Sequence, residues 1–119
     1  MREIKLIIAG TRTFNDYNFL KSKLDFYLSQ KNEKIEIVCG GCQEPDMFGV
    51  RYAKQKGFSV EYFYPDWQKY GRAAGPMRNK DMAQYATHCV VFWDGRSRGT
   101  ASMIELVKQY ELNLRVVRY

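Results

Sequence analysis

The 119-residue sequence is poor in several features that would assign a function at once. It has three cysteines, an odd number, so a complete set of disulfides is impossible. Cys39 and Cys42 form a Cys-x-x-Cys pair, but a zinc site needs two more ligands. Only Cys89 and the single histidine, His88, remain to supply them. Cys39 ends an apolar run and reads as a small buried residue, so no metal is expected. His88 opens another apolar run and reads as a strand-start residue, not a catalyst. No stretch approaches the roughly 18 to 20 apolar residues of a membrane span. The apolar run near the first residue is too short for an export signal, so a cytoplasmic location without a membrane partner is expected. Neither the Gly-x-Gly-x-x-Gly pattern nor a Walker A pattern occurs, which disfavours ordinary dinucleotide dehydrogenases and P-loop NTPases.

What is present reads as a packed globule. Hydrophobic residues make up 45% and aromatics 15%, which excludes a disordered chain. The length suits one domain over residues 1–119. Five short apolar runs stand out: Lys5–Ala9, Ile35–Cys39, Phe58–Phe63, His88–Trp93 and Leu114–Val117. Such runs, rich in Ile and Val and bounded by Gly, read as buried strands. Helical spacing appears between them, with Leu20, Leu24, Tyr27 and Leu28 on one face of the first helix. Met47, Val50 and Ala53 suggest a second that stops at Gly57. Met82 and Ala86 suggest a shorter helix after Pro76, and Ile104, Val107 and Tyr110 a last one capped by Ser97 or Thr100. This alternation predicts an α/β fold, a mostly parallel five-stranded sheet with helices on both faces. The stretch from Tyr64 to Gly75 is the longest without periodicity and reads as a functional loop.

Three glycine-bearing segments each follow a strand and precede a helix: Gly10–Phe14, Gly40–Asp46 and Asp94–Thr100. In a parallel sheet these loops share the C-terminal edge, where ligands bind at the point of strand-order reversal. Helix N-termini there offer N–H groups and partial positive charge to an anion. Lysines and arginines number 19 against 13 acidic residues, a net charge of +6. Most lysines fall on predicted helices, whereas Arg12, Arg72, Arg78, Arg96 and Arg98 lie in or beside the loops. A single loop arginine is as readily a solvated residue as a ligand contact. Five grouped by topology favour phosphate or carboxylate recognition, with Asp46 and Asp94 as acidic neighbours. Trp67 and Tyr70 have two equal readings, stacking on a base or packing a lid onto the domain.

Three segments together resemble the YspA-type, cpYpsA-related branch of the SLOG superfamily. They are Gly10-Thr11-Arg12-Thr13-Phe14 with Asp16, the run Trp67–Asn79, and Phe92–Thr100. The resemblance spans almost the whole chain. It implies a small, Rossmann-like three-layer sandwich of bacteria or bacteriophages, related to the LOG enzymes and to DprA. It also implies binding of a nucleotide or nucleotide-derived ligand rather than a resident cofactor. Carried over residue by residue, Gly10, Thr11 and Arg12 would form one ligand loop, and Gly40, Gly41 and Asp46 a second. Gly75, Pro76, Arg78 and Asn79 would open a helix beside the ligand, and Ser97, Arg98, Gly99 and Thr100 would hold phosphate.

Two departures from the family pattern stand out. Cys42, Gln43, Glu44 and Pro45 replace the middle of a loop that usually reads Gly-Gly-Ala-Arg-Gly-Ala-Asp. Met103 stands where LOG-type phosphoribohydrolases carry the Glu of Gly-Thr-x-x-Glu. The expected function is therefore nucleotide binding or sensing. N-glycosidic hydrolysis of LOG type and single-stranded nucleic-acid binding are the alternatives. A homodimer is a further expectation, with Phe19, Phe26, Phe48 and Tyr52 as the apolar patch.

Overall fold

The structure, a computed structural model, describes residues 3–11, 13–40 and 46–119. Five strands alternate with helices: β1 (Glu3–Gly10), α1 (Tyr17–Leu28), β2 (Lys34–Cys39), α2 (Asp46–Lys56), β3 (Ser59–Tyr62), α3 (Trp67–Tyr70), a 3-10 turn (Gly71–Ala73), α4 (Ala74–Tyr85), β4 (His88–Trp93), α5 (Arg98–Gln109) and β5 (Asn113–Arg118). The strands pair in the order β3-β2-β1-β4-β5, and every pairing is parallel, so the sheet is wholly rather than mostly parallel. The chain builds outward from β1 through β2 to β3, returns, and builds the other way through β4 to β5. The order therefore reverses between β1 and β4, where Gly10 pairs with Phe92.

Strand alternation divides the core into two layers. Ile4, Leu6 and Ile8 of β1 point to one face and pack with Leu20, Leu24 and Leu28 of α1 and with Tyr52 and Ala53 of α2. Ile7 points to the other face and packs with Met82 of α4 and Met103, Ile104 and Val107 of α5. The helices form where capping and apolar spacing coincide. Asp16 accepts the N–H of Phe19 at 3.0 Å and starts α1, whose buried residues recur at helical spacing. Gly57, at φ +75°, ends α2, and the N–H of Phe58 reaches back to the carbonyl of Ala53 at 2.9 Å.

Three expectations need correction. The stretch from Tyr64 to Gly75 is largely helical, because Asp66 caps α3 by accepting the N–H of Lys69. The helix expected after Pro76 instead begins at Ala74 and runs twelve residues. Pro76 fits its first turn, where an N–H has no intrahelical partner to lose. The four aromatics do not form one outer patch. Tyr52 is fully buried, Phe19 and Phe48 pack against the core, and only Phe26 is exposed. Among the described residues no helix is long and apolar enough to cross a membrane.

Candidate functional site

The C-terminal edge is organised around the β1–β4 reversal. Thr11 is buried there and donates its N–H to the carbonyl of Phe92 at 2.9 Å. Its hydroxyl oxygen accepts the N–H of Asp94 at 3.2 Å. The loops after β1 and β4 are thus tied together by one small polar residue. Asp94 then folds its own loop. Its carboxylate accepts the N–H groups of Arg96 at 2.8 Å and Ser97 at 2.9 Å. Those two donors hold its pKa below the ordinary carboxylate value. Gly95 has φ +85°, and a Cβ there would stand 2.1 Å from Nη2 of Arg118, so this turn requires glycine.

Ser97 follows as the cap of α5. Its hydroxyl oxygen accepts from the N–H of Thr100 at 3.4 Å and from the Thr100 hydroxyl at 3.2 Å. Its carbonyl accepts the indole N–H of Trp93 at 3.1 Å. The start of α5 is therefore anchored on three sides, and its N-terminal dipole is aimed by a rigid turn. The buried stripe Thr100, Met103, Ile104 and Val107 seats the helix on the sheet.

Between α4 and α5 lies a cleft of about 810 Å³. Gly10 forms part of its floor, Gly75, Pro76, Arg78 and Asn79 one wall, and Ser97, Gly99 and Thr100 the other. A smaller hollow of about 130 Å³ continues from it under Gly40. Arg78 is half-buried and spans both. Its Nε donates to Oδ1 of Asn79 at 2.8 Å. A Cβ on Gly40 would lie 3.0 Å from Nη1 of Arg78 and 3.1 Å from Sδ of Met82. Glycine at position 40 thus leaves room for the guanidinium. No ion pair among the described residues involves Arg78. The half-buried guanidinium thus lies in the cleft across from the start of α5, without an acidic partner among the described residues.

Of the residues singled out from the sequence, the cleft and its hollow bring together Gly10, Gly40, Gly75, Pro76, Arg78, Asn79, Ser97, Gly99 and Thr100. Thr11 and Asp94 brace the loops instead of lining the cleft. Arg98 is exposed at the head of α5 and does not line it. Arg12, Gly41 and the side chain of Asp46 lie outside the described residues. Reading the sequence missed Lys80, Ser102 and Leu106, which also line the cleft. Helical spacing carried their signal: Lys80 lies four residues after Pro76, and Ser102 and Leu106 lie three and seven after Gly99. Trp67 is 58% exposed, and a Cβ on Gly75 would lie 3.5 Å from its ring, so the indole stands at the mouth of the cleft. Cys89 is inert by contrast, since burial pushes its thiol up to about 12.

The chain is 32% identical over 102 residues to the Gene 61 protein of Mycobacterium phage D29, covering 81% of this chain and 82% of that protein. The crystal structure of a predicted tRNA methyltransferase subunit from Methanocaldococcus jannaschii aligns with 99% of this chain and 68% of that one, with a TM-score of 0.49 and 12% identity. Residues 4–70, from β1 through α3, match the family described as YspA, cpYpsA-related SLOG. The matched segment carries Gly10 and Gly40 and ends four residues before α4. The chain belongs to the YspA, cpYpsA-related SLOG family.

Proposed function

We propose that the protein binds a nucleotide or nucleotide-derived ligand in the α4–α5 cleft, as a binding or sensing module. The observation that carries this reading is the convergence on one cleft of Arg78, which forms no ion pair among the described residues, the capped start of α5 and the bare backbone of Gly10 and Gly40. The phosphate would meet the N–H groups at the start of α5 and the Arg78 guanidinium. Asn79 and the exposed ring of Trp67 offer an amide and a flat surface to the rest of the ligand. Family membership supports the same reading.

The described lining of the cleft includes no carboxylate, and Met103 occupies the position of the LOG glutamate. Among the described residues the support is for binding. Thermal shift and calorimetry against mono-, di- and cyclic nucleotides, NAD and ADP-ribose test the proposal. At least one should raise the melting temperature in the parent and lose most of its effect in Arg78→Ala. Equal behaviour of parent and variant toward every compound overturns it.

A further inference from the structure

The face that carries α1 and α2 is only partly covered. Beside α1, the outer part of β4 and β5 have no helix of their own packed on this face among the described residues, although parallel strands are ordinarily covered on both faces. Only the edge of α1 reaches over them, Tyr27 donating its hydroxyl to Asn113 at 3.2 Å. The result is a groove of about 470 Å³. Val90 and Val117 form its floor, Phe26 stands on its lip at 77% exposure, and Lys23, Lys31 and Arg115 rim it. No acidic residue lines the groove, and no ion pair among the described residues involves its three cations.

The opposite face has a comparable open corner, over β2 and β3, and it is built differently. Glu36 and Glu61 stand there, with Tyr85 donating its hydroxyl to Glu36 and Lys5 lying 4.1 Å over the Tyr85 ring. That corner is paved with charge, as suits a surface meeting water. The β4–β5 corner has two buried valines at its floor and carries the exposed Phe26 and half-buried Tyr27 on its lip, as suits a surface meeting a partner.

We propose that this groove docks an amphipathic helix of a partner protein, with an apolar stripe flanked by acidic residues. A helix is about 10 Å across, and one lying beside α1 would complete the layer as a third helix. The stripe would meet the exposed Phe26 and the half-buried Tyr27, above the buried Val90 and Val117, and the acidic flanks would pair with Lys23 and Lys31 on one side and Arg115 on the other. A second copy fits poorly, because a two-fold contact through this face sets the same three cations against themselves.

The test uses the full chain and two stapled helical peptides with one leucine stripe, one flanked by Glu and the other by Lys. Fluorescence anisotropy should show the Glu peptide binding at least about tenfold tighter, a preference that added salt erodes. Amide shifts should cluster at Val90, Arg115 and Val117. Lys23→Glu with Lys31→Glu should remove the preference while leaving the melting temperature near that of the parent. Phe26→Ser, exposed and safe for folding, should weaken both peptides. Equal affinities, no binding, or shifts confined to the α4–α5 cleft overturn the proposal. So does displacement of the peptide by oligothymidylate, which assigns the cations to nucleic acid. A concentration-dependent dimer that Phe26→Ser dissolves assigns the groove to a second copy and likewise overturns it.

Discussion

The two open corners of the sheet differ in chemistry though they arise from one topological cause. Four long helices cannot cover both faces of five strands, so each face leaves strands uncovered at one side. Over β2 and β3 the open face carries the half-buried Glu36 and the exposed Glu61. Over β4 and β5 the floor is formed by Val90 and Val117, both buried, with Phe26 exposed on the lip beside them. The same strand geometry thus carries a solvated surface at one corner and an apolar, cation-rimmed one at the other. Topology alone does not say where a protein meets water. The residues at alternate strand positions do, because each corner is only as apolar as the side chains that point to it.

The largest effect contrasts two residues of α1 that stand two positions apart. Leu24 is fully buried beneath the helix, whereas Phe26 points out over the groove. Leu24→Ala should cost about 2–5 kcal/mol in urea unfolding. Phe26→Ser should stay within about 0.5 kcal/mol of the parent. A large loss from Phe26→Ser would mean that the lip of the groove is part of the core, and the contrast between corners would collapse.

The next effect separates the two faces by function. Arg78→Ala should weaken binding of a stabilising nucleotide by about 10- to 100-fold, the range expected for a lost charge-assisted contact. Lys23→Glu with Lys31→Glu should leave that affinity unchanged, since neither lysine lines the cleft. Calorimetry with the same nucleotide on both variants checks this. Equal losses would mean that net charge, not the Arg78 geometry, attracts the ligand.

A third change converts one corner into the other. Glu61 is exposed on the edge strand β3, where its charge opposes pairing with another chain. Glu61→Val should make the protein sediment faster than the parent at the same concentration, with little change in unfolding midpoint. Unchanged sedimentation would show that this corner does not depend on its charge.

Much of this organisation was legible in the sequence, and the gaps have physical causes. The five strands and their alternation with helices could be read because parallel strands buried on both faces are short, dense apolar runs. The Asp94–Thr100 turn was legible as a site because its glycines and its cap announce a strand-to-helix loop. The role of Asp94 was not, because a carboxylate that binds its own loop and one that binds a ligand look alike without coordinates. The arginines were read as a group, but proximity along the chain does not set direction. Among those described, only Arg78 lines the cleft, since it projects from the first turns of α4 into space that Gly40 leaves open. The helix over 74–85 was expected too short, because a proline in its first turn looks from sequence like a boundary. The groove beside α1 left no pattern, because Val90 and Val117 at its floor are buried as they would be under a helix.

The smallest effect tests how the paved corner is held. Tyr85 donates its hydroxyl to the Glu36 carboxylate. That bond, with burial and the nearby Glu61 and Glu3, pushes the phenol up to about 12 from its ordinary value of 10.0. A pKa raised on folding stabilises the native state fully below the unfolded value and loses that contribution as pH rises through the folded one. The window is therefore pH 10 to about 12. Tyr85→Phe keeps the ring under Lys5 but removes the titrating group. At neutral pH it should cost about 0.5 kcal/mol, the low end for a hydrogen bond that solvent reaches. Across the window, urea midpoints of the parent should fall toward those of the variant and meet them near the top. Parallel curves would mean that the Tyr85–Glu36 bond contributes nothing in solution, and that the carboxylates alone keep this corner wet.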